Sequence, residues 1–224
     1  RIPTKRGIGT MELADLIVER EDEGYFAYHR SALTSEAIHR SELEHIFRRS
    51  WLYLGHESEV PEAGDYVRRT VATQPLFFVR SRTTGGVQVF ANSCTHRGAT
   101  ICRRDRGNAK TFQCFYHAWT FDSEGNLIGV PDEEAYGPSF DKSRYGLVEV
   151  PRAESYRGFI FVSFDPEVED LVTYLAGARE YIDKNLSFDK DIDVQNFEIT
   201  IRLLGGLLSS YQLTGDKRLL ALAE

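Results

Sequence analysis

The sequence predicts an α+β protein: a small all-β domain flanked by helices and followed by a short helical tail. Three observations carry that expectation. From Asp65 to Phe164, short apolar β runs alternate with turns rich in Gly, Asp, Asn and Ser. Helical periodicity lies on either side, at about 35–50 and again from 165. After about Lys184 the composition shifts: residues 185–224 hold nine Leu but only three of the 27 aromatics, Phe188, Phe197 and Tyr211. The expected divisions are an N-terminal segment with a helix (1–50), a β domain (51–164), a helix (165–184) and a helical tail (185–224).

Each element has its own local signal. Thr34 or Ser35 is positioned to cap the first helix, Glu36 sits in its first turn, and Leu43, Ile46, Phe47 and Trp51 form the expected apolar stripe. Leu76–Arg80, Gly85-Gly86 and Val87–Ala91 read as a hairpin. Trp119–Phe121 and Leu127–Val130, joined by Asp122-Ser123-Glu124-Gly125-Asn126, read as another. Leu147–Val150 and Phe159–Phe164 are expected strands, the second buried. Asp165-Pro166 has the form of an N-cap followed by a first-turn proline, with Leu171, Tyr174, Leu175, Ala178, Tyr181 and Ile182 as its stripe. In the tail, one helix is expected around Asn196–Leu213, then a break at Thr214-Gly215-Asp216 and a second helix.

Composition narrows the function classes. The chain has 224 residues, 42% of them hydrophobic and 27% charged, with a formal charge of −7. That is the balance of a globular protein, and the acidic total argues against nucleic-acid or anionic-membrane binding. No apolar run approaches the roughly 18 to 20 residues that span a bilayer. Arg1–Thr10 lack the apolar stretch of a secretory signal. Three Cys are too few for a disulfide scaffold, so a reducing compartment, the cytoplasm, is expected. A first residue other than Met and a last residue, Glu224, inside a helical pattern read as a fragment. All six His lie at or before His117, so nothing after it supplies an imidazole.

Chemistry concentrates in two short runs, Cys94-Thr95-His96-Arg97-Gly98 and Cys114-Phe115-Tyr116-His117-Ala118-Trp119, with 17 residues between His96 and Cys114. Two thiolates and two imidazoles, delivered by two turns, are a complete ligand set for a metal centre. Three readings compete: ordinary buried residues, a structural zinc site of two Cys and two His, and a Rieske [2Fe–2S] cluster with two Cys on one iron and two His on the other. Zinc sites more often pair Cys with Cys and His with His. The mixed Cys-x-His and Cys-x-x-His loops are what the third reading explains, since each loop then gives one ligand to each iron. Cys102 is left over and reads as a small buried residue.

The motif Cys94-x-His96 … Cys114-x-x-His117 resembles that of the α subunits of aromatic ring-hydroxylating oxygenases. So do Trp51–His56, Gly64–Val67, Asn92–Arg103, Tyr116–Asn126 and Glu154–Phe159, and the likeness covers about residues 25–183. Phe115 stands where that family usually has Pro, and Ala118 where it usually has Gly. The resemblance implies that Cys94, His96, Cys114 and His117 bind a [2Fe–2S] cluster. Around them, Tyr116 and Trp119 read either as shields and hydrogen-bond donors or as plain core aromatics, and Arg97 either as a charge screen or partner contact or as a surface arginine. It implies electron delivery from a ferredoxin or flavin reductase, partner α and β subunits, and breakdown of aromatic hydrocarbons. It also implies a mononuclear Fe(II) held by two His and a carboxylate. The absence of His after 117 means residues 118–224 cannot supply those imidazoles.

The tail resembles something else. Asn196–Tyr211, followed by Leu213-Thr214-Gly215-Asp216, is similar to a helix of the class I α-mannosidases, which implies Glu198 as a candidate acid catalyst with Arg202 one turn along. A glycosidase needs a second carboxylate across a sugar pocket, and that family also implies calcium, so an amphipathic helix packed through Gly205-Gly206 is the simpler expectation. Two disjoint resemblances meeting near Asp183–Asn185 suggest a truncated or chimeric reading frame.

Overall fold

The structure, a computed structural model, describes residues 16–177 and Lys217. A boundary between Ser50 and Trp51 separates two compact units. The first opens with an antiparallel hairpin, β1 (Ile17–Arg20) and β2 (Tyr25–Tyr28), in the register Ile17↔Tyr28. It gave no alternating signal because Ile17, Val18, Tyr25, Phe26 and Tyr28 are all exposed. A single-turn helix α1 (Ser31–Thr34) leads into α2 (Glu36–His45), which Ser35 caps by accepting a hydrogen bond from the Ile38 N–H.

The expected stripe on this helix is corrected by the structure. Leu43 and Trp51 are buried, but Ile46 is 55% and Phe47 39% exposed. The α-helix ends at His45 and the chain tightens into a 3₁₀ turn at Phe47–Arg49, so the 3.6-residue period no longer governs where those side chains point.

The second unit is built on β3 (Leu52–His56), β4 (Asp65–Val71), β5 (Gln74–Arg80), β6 (Val87–Ala91), β7 (Arg106–Asn108), β8 (Phe112–Gln113), β9 (Thr120–Phe121), β10 (Leu127–Gly129), β11 (Arg152–Tyr156) and β12 (Phe159–Ser163). They form a four-stranded sheet in the order β6-β5-β4-β7 and two three-stranded sheets, β11-β12-β3 and β10-β9-β8, all antiparallel. Strand β5 explains the packing. Phe77 and Val79 join one buried cluster, with Phe90, Phe112, Phe121 and Leu127, while Leu76 and Phe78 join another, with Leu54, Val67, Val89, Ile160 and Val162. Alternate side chains leave opposite faces of a strand, so a strand apolar at four successive positions serves two cores at once.

Two expected elements differ. Leu147–Val150 is not a strand, although Leu147 and Val150 are buried; it makes one bridge, Phe90↔Glu149. The Leu147 N–H is taken by the Gly125 carbonyl at 2.7 Å, which turns the segment away from a ladder. The helix expected from Asp165 begins at 171 instead, with Asp170 accepting from the Thr173 N–H. Side chains hold the intervening backbone: Trp51 Nε1 donates to the Glu169 carbonyl at 2.8 Å and Arg152 Nη1 to that of Val168 at 3.0 Å. The rest of that helix, the tail helices, Glu198, Arg202 and Gly205-Gly206 lie outside the described residues.

Candidate metal centre

Each Cys–His run folds into the same turn. In the first, the Cys94 N–H donates to the Ala99 carbonyl and the Gly98 N–H to that of Cys94, both at 2.8 Å. In the second, the Cys114 N–H donates to the Trp119 carbonyl at 2.8 Å and the Ala118 N–H to that of Cys114 at 2.9 Å. Both turns need a left-handed residue at their fifth position, which Gly98 (φ +72°) and Ala118 (φ +57°) supply. This is the physical sense of the Ala118 departure: an L side chain occupies a conformation where glycine is unstrained.

The turns place the four residues as two pairs. Cys94 and Cys114 are buried together in the first core cluster, near enough for each thiol to act on the other. Burial pushes the Cys94 thiol up, and the Cys114 thiol adds to this, while backbone N–H groups of His96 and Arg97 work in the opposite direction. His96 and His117 are half-buried, their rings edge to face with centroids 4.6 Å apart. Burial lowers the His96 imidazole, with His117 and Arg97 adding to the shift. His117 Nδ1 is buried with no hydrogen-bond partner. Among the described residues, no three His, Cys, Asp or Glu side chains gather around one point.

The surrounding residues are unequal in role. Trp119 is buried and lies flat on His96, with ring centroids 4.8 Å apart and planes 13° apart. Tyr116 is exposed, its ring 3.9 Å from that of His117, and Arg97 lies over its outer face at 5.5 Å. Phe115 is 62% exposed and carries Arg103 at 4.8 Å. Sequence reasoning missed Tyr136, Phe140 and Tyr145, which stand edge-on to Trp119 at 6.1, 6.1 and 5.7 Å. Tyr136 and Tyr145 end two 3₁₀ turns, Glu133–Tyr136 and Lys142–Tyr145, and Phe140 lies between them; Thr95 ties that segment to the first loop by donating to the Tyr145 carbonyl at 2.7 Å. Irregular turns have no period to read, so their aromatics gave no signal. Cys102 is buried, and burial pushes its thiol up to about 12, so it stays a neutral thiol.

Comparison with known proteins supplies the family. Residues 50–152 match the model of the Rieske [2Fe-2S] domain. This part of the chain is a Rieske domain. It is homologous to α subunits of aromatic dioxygenases. Biphenyl 2,3-dioxygenase subunit alpha of Rhodococcus jostii (strain RHA1) is 46% identical over 153 residues, 68% of this chain and 33% of the relative. Toluate 1,2-dioxygenase subunit alpha of Pseudomonas putida is 38% identical over 179 residues, 79% of this chain and 39% of the relative. Among solved structures, naphthalene 1,2-dioxygenase from Rhodococcus sp. bound to indole superposes with a TM-score of 0.65 at 38% identity, over 70% of this chain and 36% of that one. A quaternary ammonium Rieske monooxygenase gives a TM-score of 0.60 at 30% identity, over 69% and 42%. The chain thus spans about a third of the length of the curated relatives it matches. The Rieske domain is followed by a second match, to glycosyl hydrolase family 47, at residues 169–224. No helix among the described residues is long and apolar enough to cross a membrane.

Proposed function

We propose that the Rieske domain is the electron-carrying part of an aromatic ring-hydroxylating oxygenase, with Cys94 and Cys114 on one iron and His96 and His117 on the other. The observation that carries this is the pairing itself: two like turns bring Cys94 and Cys114 into one buried cluster and the His96 and His117 rings to 4.6 Å, the two-by-two set that a Rieske cluster takes. The unpartnered, buried His117 Nδ1 fits the same reading, because such atoms otherwise find a hydrogen bond.

When bound, the cluster supplies one-electron transfer, at about −150 to +300 mV for this ligand set. The chain does the rest. The apolar cluster of Ile101, Phe112, Trp119 and Phe121 keeps water from the paired sulfurs. The His96 and Arg97 N–H groups stabilise negative charge on Cys94. Trp119 fixes the plane of His96, and Tyr116 covers His117. Electrons are expected from a ferredoxin or flavin reductase, and α and β subunits are the expected assembly. The hydroxylating Fe(II) must take its His ligands from elsewhere, since residues 118–224 have none. Three free, buried cysteines fit a cytoplasmic setting.

The second match favours a junction. The hydrolase match begins at 169, but Val168, Glu169 and Leu171 are hydrogen-bonded to Arg152, Trp51 and Glu154, so the chain through 171 belongs with the Rieske head and the join to a hydrolase-like tail lies downstream of it. Sequencing the encoding locus tests it: one uninterrupted native message across the join removes an assembly error.

Anaerobic reconstitution with iron and sulfide, followed by EPR of the reduced protein, tests the cluster. A rhombic signal with average g below 2 is expected, lost in His96→Ala and retained in Cys102→Ser. A colourless protein that takes up only zinc overturns the proposal.

A further inference from the structure

The two ligand turns are alike, but the chain closes them differently. The second sits at the end of a hairpin: Gln113 pairs with Thr120 and Phe112 with Phe121, so backbone ladders clamp both sides of Cys114–Trp119. The first has no such ladder. Strand β6 ends at Ala91, and the residues after Ala99 form no strand until β7 begins at Arg106 and pairs with β4 instead. At the place where a ladder would close it stands Asn92, which is 2% exposed. Its Nδ2 donates to the Cys102 carbonyl at 2.9 Å, and its Oδ1 accepts from the Cys102 N–H at 2.7 Å. One primary amide thus reproduces the two-bond exchange of an antiparallel backbone pair.

We propose that Asn92 is the positioning residue of the first ligand turn, its amide standing in for the missing strand and setting where Cys94 and His96 lie relative to Cys114 and His117. Asn92 is hydrogen-bonded to Cys102 and Pro75 and not to any of the four; it acts through the peptide of Cys102, ten residues along, which fixes the far end of the loop. Its own N–H donates to the Pro75 carbonyl at 2.8 Å, so the clamp is anchored to the central strand β5. An amide suits this buried place because both its polar atoms are satisfied and no charge is desolvated. Asp retains the acceptor but loses the donor, and Ala loses both.

The inference rests on the ligand reading above for its meaning to the cluster, but its geometry is testable without metal. In the metal-free protein, alkylation by iodoacetamide mapped by mass spectrometry is expected to be at least tenfold faster at Cys94 in Asn92→Ala than in the parent, and within twofold of the parent at Cys114. Asn92→Asp should give a smaller rise, again selective for Cys94. Unchanged Cys94 labelling, or equal rises at Cys94 and Cys114 in both variants, overturns the proposal. In the reconstituted protein, Asn92→Ala should shift or broaden the EPR signal, while Val89→Ala, a cavity in the other core cluster, leaves it unchanged. A parent that takes up no cluster, with Cys94 still selectively exposed in Asn92→Ala, refutes the cluster reading and leaves the clamp standing.

Discussion

Ala118 shows how one residue sets the cost of a ligand turn. At φ +57° it adopts a conformation that disfavours an L side chain by about 1–2 kcal/mol, partly offset in glycine by its larger unfolded-state entropy. Ala118→Gly is therefore expected to stabilise the domain by about 0.5–1 kcal/mol, seen as a rise in Tm by circular dichroism. The converse change, Gly98→Ala, is expected to cost a similar amount. The nearest atom to an added Cβ there is Ser93 Oγ at 3.8 Å, so there is space and only backbone strain opposes it. Equal stability of both variants and the parent would contradict the account. Phe115, the other departure, points into solvent under Arg103 and strains nothing in the turn.

At the scale of elements, the turn joining β9 to β10 carries more weight than its length suggests. Gly125 is left-handed at φ +80°, its carbonyl accepts from the Leu147 N–H at 2.7 Å, and a Cβ there would stand 2.5 Å from the Phe90 ring. Strain and overpacking act together, so Gly125→Ala is expected to cost about 3 kcal/mol. Urea unfolding measures it, with the midpoint lowered and the slope unchanged. The hairpins at 76–91 and 119–130 were legible because alternation and turn residues agree there. The segment 147–150 was not, because apolar residues at the edge of a core read like a strand until one knows that Gly125 takes the Leu147 N–H. The helix after Asp165 moved downstream for a similar reason, since Trp51 and Arg152 lie 118 and 16 residues away from the carbonyls they hold.

For the whole molecule, stability should decline in acid. The Ser155 hydroxyl, with the Arg80 guanidinium, holds the Glu57 carboxyl below its ordinary 4.5. At Glu124 burial works upward, but hydrogen bonds from Ser81 and Ser123 outweigh it and leave the carboxyl lowered. A depressed folded-state value means these groups stabilise the fold above the ordinary value and lose that contribution as pH falls through the lowered one. The Tm should thus be level from pH 7 to about 5 and fall below about 4.5, with a flatter profile in the Glu57→Gln, Glu124→Gln double variant. A double variant that tracks the parent would refute the assignment. The sequence by itself determined the chemistry: two Cys–His runs, their spacing and the lack of any later His are facts of covalent order. The fold alone reveals that Ala118 is strained, and that Asn92 and the ring of Tyr136, Phe140 and Tyr145 stand behind the site. The reason is physical: a ligand type is a property of one side chain, whereas strain and support depend on contacts between residues far apart in the chain, which no local period records.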